Sequence, residues 1–146
     1  MENGKILIAV VDGQGGGLGR TIIQRLKDKL PDVHIRVLGT NATATGAMLR
    51  AGAKDGATGE NALIFNIARA DIITGPIGII MPNGLLGELT TRMAEAIGTS
   101  HAKKILIPSN SCNISMAIVE EPVQRYIDQC IEMICAEAAQ LCDKVR

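Results

Sequence analysis

Short apolar runs along the chain alternate with longer segments in which apolar residues recur every three or four positions. The first run, residues 5–11 (KILIAVV), is rich in branched aliphatic residues and shows no polar alternation. This pattern predicts a strand that is buried on both faces of a parallel sheet. Similar runs predict further strands at residues 34–38, 71–75 and 104–108, and a weaker fifth strand at 114–119.

Helical periodicity fills the segments between these strands. Apolar residues recur at helical spacing from residue 18 to residue 30, and further helices are predicted at 43–53, 59–70 and 85–97. A long closing helix is predicted from Pro122, because proline is favoured at helix starts. The alternation predicts one domain over residues 1–146: an α/β fold, a three-layer α/β/α sandwich of Rossmann-like type with a mainly parallel sheet of four to five strands.

Composition narrows the class of protein. The chain has 146 residues, 47% hydrophobic, and a formal net charge of zero, which argues against disorder and gives no reason to expect nucleic acid or an anionic membrane as a partner. No apolar stretch reaches the roughly 20 residues of a membrane span, and residues 1–5 lack a signal peptide's features, so we expect a cytoplasmic protein. The four cysteines form no Cys-x-x-Cys pair, so no metal site is predicted.

The glycine-rich loop between the first strand and the first helix is the main candidate site. It has five glycines in the seven residues 13–19, and glycines let backbone N–H groups approach an oxyanion at a helix start. We predict that it holds a phosphate, with Arg20 as the supporting cation. The alternative is a tight strand-to-helix crossing without a ligand. The predicted binding residues of this loop are Asp12, Gly13, Gln14, Gly15, Gly16, Gly17, Leu18, Gly19 and Arg20.

Two known phosphate motifs match the loop only approximately. When the dinucleotide fingerprint Gly-x-Gly-x-x-Gly is aligned from Gly13, Leu18 stands at the position of its third glycine. The fingerprint also expects an acidic residue at the end of the second strand, where this chain has residues 39–41 (GTN). Arg36 is a candidate for a ribose 2′-phosphate or, alternatively, a solvated edge residue. In the P-loop pattern, Arg20 stands at the position of the lysine that contacts the phosphates. Asp12 and Thr21 are nevertheless candidates for a Mg²⁺ site. The cofactor is therefore open: NAD(P) or another nucleotide.

Polar residues also follow the other predicted strands, at the sheet edge where ligands collect in open α/β folds. Cys112 is a candidate nucleophile, but we expect His34 and His101 at the opposite edge of the sheet, so we assign no catalytic residue. The segment 58–61 (TGEN) precedes a helix on the same rim. The predicted binding residues after the strands are Thr40, Asn41, Thr74, Gly75, Ser109 and Asn110.

The whole chain resembles a small bacterial family catalogued only as a domain of unknown function. The resemblance rests on residues 12–19, on residues 40–42 together with 47–49, and on residues 57–62. It carries no established activity. It implies only that the glycine loop and the TGEN segment belong together, which agrees with their expected place on one rim of the sheet.

The favoured interpretation is a protein that binds a nucleotide or dinucleotide, in a sensory or regulatory role. One alternative is a small enzyme, either a nicotinamide-dependent oxidoreductase or a phosphoryl-transfer protein. Another is a non-catalytic structural or partner-binding module. The broad apolar face of the closing helix is compatible with a homo-oligomer or with packing on its own sheet.

Overall fold

The computed structural model describes residues 1–109 and 113–146. No helix in these two stretches is long and apolar enough to cross a membrane. Strands and helices alternate along them in the following order: β1 (Leu7–Asp12), α1 (Gly17–Lys29), β2 (His34–Gly39), α2 (Ala42–Arg50), β3 (Asp55–Thr58), α3 (Glu60–Ile67), β4 (Ile72–Pro76), a 3₁₀ turn (Ile77–Ile80), α4 (Thr91–Thr99), β5 (Lys103–Ile107) and α5 (Val123–Val145).

The strands form one sheet in the order β3-β2-β1-β4-β5, and each neighbouring pair is parallel. Side chains on one face pack against α1, α2 and α5, and those on the other face pack against α3 and α4. The predicted Rossmann-like three-layer sandwich is thus confirmed. The chain reverses its direction of travel across the sheet between β1 and β4, which is where such folds open a ligand crevice.

Three elements differ from the predictions. The edge strand β3 was not predicted, because DGAT lacks an apolar run and is a strand only through its pairing with β2. The fifth strand predicted at 114–119 is wrong: that stretch has no regular structure. Tyr126 holds it near α5, since its hydroxyl donates to the carbonyl oxygen of Val119 at 3.2 Å and accepts from the N–H of Glu121 at 2.9 Å.

The helix predicted from residue 85 begins at Thr91 instead. Leu85 and Leu86 adopt positive φ angles of 55° and 56°, which a right-handed helix does not allow. Thr90 then caps α4, because its side-chain oxygen accepts from the N–H of Met93 at 3.1 Å. The residues before α4 are therefore not helical, and they cross the carboxyl edge of the sheet.

Candidate functional site

The glycine-rich loop connects the carboxyl end of β1 to the first turn of α1, beside the reversal point of the sheet. The φ angles of its residues alternate in sign. Gln14 and Gly16 have positive φ angles of 51° and 71°, whereas Gly15 and Gly17 do not have positive φ angles. Alternation of this kind turns successive N–H groups toward one side and forms a concave surface that suits an anion.

Asp12 fastens both ends of this loop. Its side chain is buried, one oxygen accepts from the N–H of Gly13 at 2.8 Å, and the other accepts from the N–H of Gly19 at 2.8 Å. Burial raises the pKa of Asp12, and the negative charge of Glu88 adds to that effect, while the two hydrogen bonds oppose it. Because Asp12 is buried and each of its oxygens accepts an N–H group of the loop, the geometry makes Asp12 a positioning residue, and its burial gives no support to a metal-binding role.

The five glycines of the loop fall into two classes. Three are tightly packed, because a Cβ atom there would force a neighbour to shift: the Thr40 side chain at Gly13, the Ala44 backbone at Gly16 and the Met48 side chain at Gly19. The other two, Gly15 and Gly17, have no atom within 4 Å of the Cβ position, and neither has a positive φ angle. The folded chain itself gives no reason for glycine at these two positions.

The backbone N–H groups of the loop also fall into two classes, those with a hydrogen-bond acceptor and those without one. Gly16 donates to the carbonyl oxygen of Gly13 at 2.9 Å, which closes the turn. Within residues 1–109 and 113–146, the N–H groups of Gly15, Gly17 and Leu18 have no hydrogen-bond partner. They lie at the positive end of α1, where the helix dipole amounts to about half a unit charge. Three donors are therefore available at the exposed side of the loop.

Arg20 lies just beyond these donors, on the first turn of α1. Its side chain is exposed and has no ion-pair partner in the part of the chain that the structure describes. Thr21, the candidate Mg²⁺ ligand, instead donates its hydroxyl to the carbonyl oxygen of Gly17 at 3.1 Å. Arg20 is thus available to a ligand, and its role as a supporting cation stays a prediction.

Glu88 is a site residue that the sequence did not reveal. Its carboxylate accepts from the N–H of Gln14 at 3.1 Å, from the hydroxyl of Thr40 at 2.9 Å and from the side-chain amide of Asn41 at 2.5 Å. Desolvation alone would raise the pKa of Glu88, but the three hydrogen bonds outweigh it and hold the pKa below its usual value. An ionised carboxylate therefore lies against the glycine loop and the end of β2.

Residues 82–90, here called the bridging segment, bring Glu88 to this position. Two residues further on, Thr90 donates its hydroxyl to Glu60 of the TGEN segment at 2.6 Å. Leu89 is fully buried and anchors the bridging segment in the core, while Leu86 is 94% exposed. The glycine loop and the TGEN segment, which the resemblance implies belong together, are therefore both hydrogen-bonded to the bridging segment.

Thr74 and Gly75, at the end of β4, are placed differently from each other. The side chain of Thr74 is fully buried, and its hydroxyl lies 3.3 Å from the sulfur of Cys130 in α5, so it does not reach the rim. Gly75 has a φ angle of 151°, and a Cβ atom there would overlap the carbonyl oxygen of Val11. Gly75 therefore lets β4 approach β1 closely at the carboxyl edge.

The remaining candidates lie after β5 or at the opposite edge of the sheet. Ser109 is partly buried after β5, while Asn110 and Cys112 lie outside the described residues. His34 begins β2 and His101 precedes β5, so both lie at the opposite edge of the sheet, as predicted.

Arg36 is neither a phosphate contact nor a solvated edge residue. Its guanidinium donates to both oxygens of Glu2 and to both oxygens of Asp55, at distances of 2.8 to 3.1 Å. The hydrogen bond from Arg36 is the main reason that the pKa of Asp55 falls to about 2. This ion cluster holds the amino-terminal residues against β2 and β3 and occupies the guanidinium of Arg36.

Comparison with known proteins gives one family match and one partial structural similarity. No curated protein matches the chain. Among solved structures, a dodecameric FMN-dependent UbiX-like decarboxylase from Escherichia coli O157:H7 is similar over 87% of this chain and 74% of its own, with 17% identity and a TM-score of 0.45. A family model matches residues 7–139. The chain therefore belongs to the family described as domain of unknown function DUF3842.

Proposed function

We propose that this protein binds the phosphate group of a nucleotide or dinucleotide at the glycine loop. The N–H groups of Gly15, Gly17 and Leu18 donate to the phosphate, and Arg20 supplies the cation. The observation that carries the proposal is the pair Gly15 and Gly17. Neither glycine is needed for packing or for a positive φ angle, and both lie beside the unpartnered N–H groups at the start of α1, so the missing side chains leave room for a ligand to approach those donors.

The chemistry of the loop suits a phosphate better than a neutral ligand. Unpartnered N–H groups at a helix start, with the positive end of the dipole behind them, favour an anion. The loop lies beside the β1–β4 reversal point, where open parallel sheets bind their ligands. Asp12 does not compete for the same donors, because its oxygens are bound to Gly13 and Gly19.

The test is calorimetric binding and thermal shift of the full chain with NAD⁺, NADH, NADP⁺, NADPH, ATP, GTP, FMN and FAD, each with and without Mg²⁺. Selective binding raises the melting temperature by mass action. Gly15→Ala and Gly17→Ala are expected to fold normally, since the added methyl group meets nothing, and to weaken binding at least about tenfold, or about 1.4 kcal/mol. Gly98→Ala in α4, whose Cβ position is also open, is the matched control and is expected to bind like the wild type.

Gly16 is unsuitable for this test. Its φ angle of 71° and the backbone oxygen of Ala44, 2.8 Å from its Cβ position, mean that any side chain there disturbs the fold. Unchanged affinity in both Gly15→Ala and Gly17→Ala would refute the proposed phosphate site. No thermal shift with any nucleotide would favour the structural or partner-binding alternative.

A further inference from the structure

The end of β2 has a defined role in nucleotide-binding folds of this type. There an acidic side chain usually accepts hydrogen bonds from the ribose hydroxyls, and a nearby arginine instead accommodates a 2′-phosphate. This chain has Gly39, Thr40 and Asn41 at that position, with no acidic residue. The structure brings a carboxylate there from a distant part of the chain, since Thr40 and Asn41 both donate to Glu88.

The two oxygens of Glu88 are not equally occupied. Oε1 accepts from three groups: the N–H of Gln14, the hydroxyl of Thr40 and the amide of Asn41. Oε2 accepts from the shared N–H of Gln14 at 3.2 Å. Each carboxylate oxygen offers about two acceptor sites, so Oε2 retains capacity for another donor. An ionised carboxylate has no proton to donate, and it therefore attracts hydroxyl groups and repels phosphates.

We propose that Glu88 accepts hydrogen bonds from the ribose hydroxyls of the bound nucleotide and so selects ligands with a free 2′-hydroxyl over 2′-phosphorylated ones. This inference rests on the proposed function of the glycine loop. It makes Glu88 a specificity-determining residue, and it makes NAD-type or ADP-type ligands the favoured class.

Two further observations support this assignment. Glu88 is bound to Gln14, the residue next to Gly15, so the phosphate and ribose positions adjoin, as they must when one short link joins these groups in a nucleotide. The one arginine of β2 is also not free to bind a 2′-phosphate. Arg36, the candidate in that strand, is committed to Glu2 and Asp55.

The first test is calorimetry of the wild-type chain with NAD⁺ and NADP⁺, and with ADP and 2′-deoxy-ADP. We expect NAD⁺ to bind at least about tenfold more tightly than NADP⁺, and ADP more tightly than 2′-deoxy-ADP. These measurements need no variant, so they do not depend on how a substitution folds. Equal affinities within both pairs would overturn the role of Glu88 while leaving the proposed phosphate site intact. Failure of all four to bind would overturn the role of Glu88, and the phosphate site would be overturned with it only if ATP, GTP, FMN and FAD also failed to bind.

The second test compares Glu88→Gln with Glu95→Gln, an exposed residue of α4 that serves as the control. Glutamine retains one oxygen for the donors on Gln14, Thr40 and Asn41, but it presents an amide where Oε2 stood. We expect Glu88→Gln to weaken NAD⁺ binding about tenfold and to reduce the preference over NADP⁺, and Glu95→Gln to change neither. Tighter NAD⁺ binding by Glu88→Gln would overturn the proposal, because Glu88 would then be occupying the ligand's place.

Discussion

Replacing Asp12 by alanine tests whether this carboxylate holds the glycine loop together. The side chain is 5% exposed, and its two oxygens accept the N–H groups of Gly13 and Gly19. Alanine leaves both donors without an acceptor. Each buried N–H group without an acceptor lowers stability by about 1–3 kcal/mol, so we expect Asp12→Ala to lower the free energy of unfolding by about 2–6 kcal/mol.

Asp12→Asn separates the hydrogen bonds from the charge. Asparagine keeps one acceptor oxygen but turns an NH₂ group toward the second donor, so a loss of about 1–3 kcal/mol is expected. Because burial raises the pKa of Asp12 above 3.8 in the folded state, its favourable contribution is complete below that pH and declines as the pH rises through the folded-state value. The stability difference between wild type and Asp12→Asn should therefore narrow from acid to neutral pH.

The assay is urea unfolding followed by circular dichroism, at several pH values. Asp32→Ala, which removes an exposed carboxylate, is the matched control and is expected to stay within about 0.5 kcal/mol of the wild type. An Asp12→Ala protein as stable as this control would refute the clamping role of Asp12. A gap between wild type and Asp12→Asn that widens toward neutral pH would refute the assigned direction of the pKa shift.

Three further predictions concern the scaffold. Gly75→Ala is expected to lower the free energy of unfolding by at least about 2 kcal/mol, because the φ angle of 151° and the carbonyl oxygen of Val11 both exclude a Cβ atom; unchanged urea stability would contradict this. Gly98→Ala should raise stability by up to about 1 kcal/mol, since the position is open and within a helix; a loss would count against it. Asp55, whose pKa is held near 2 mainly by Arg36, contributes stability above pH 3.8 that is lost as the pH falls through about 2. Acid titration of Asp55→Asn should accordingly show a shallower acid limb than the wild type, and an identical limb would contradict the shift.

The sequence predicted those parts of the fold whose signal is local. β1 is an uninterrupted apolar run between polar ends, and α1 has a clear helical period, so both appear where expected. β3 has no such signal, because its four residues are held by pairing with β2 and not by an apolar run of their own. Residues 114–119 have a strand-like composition, but the fold provides no neighbouring strand for them, and they remain irregular.

The candidate site was predictable only in part, for the same reason. The glycine loop is contiguous and follows a recognisable strand, so its position was clear. The division of its glycines depends on neighbours such as Ala44 and Met48, which only the packed structure identifies. Glu88 gives no local signal, since 74 residues separate it from Gln14 and the path of the bridging segment alone brings them together.

The hydrogen bond between Gln14 and Glu88 also gives this protein an internal reporter. The Gln14 amide is at an exposed position, yet its proton is held by a side chain of the bridging segment. In an isotope-labelled sample, its amide resonance and its rate of exchange with solvent deuterium therefore follow the position of Glu88. Movement of that carboxylate when a ligand enters would be visible at one backbone resonance, without a fluorophore and without any change to the chain.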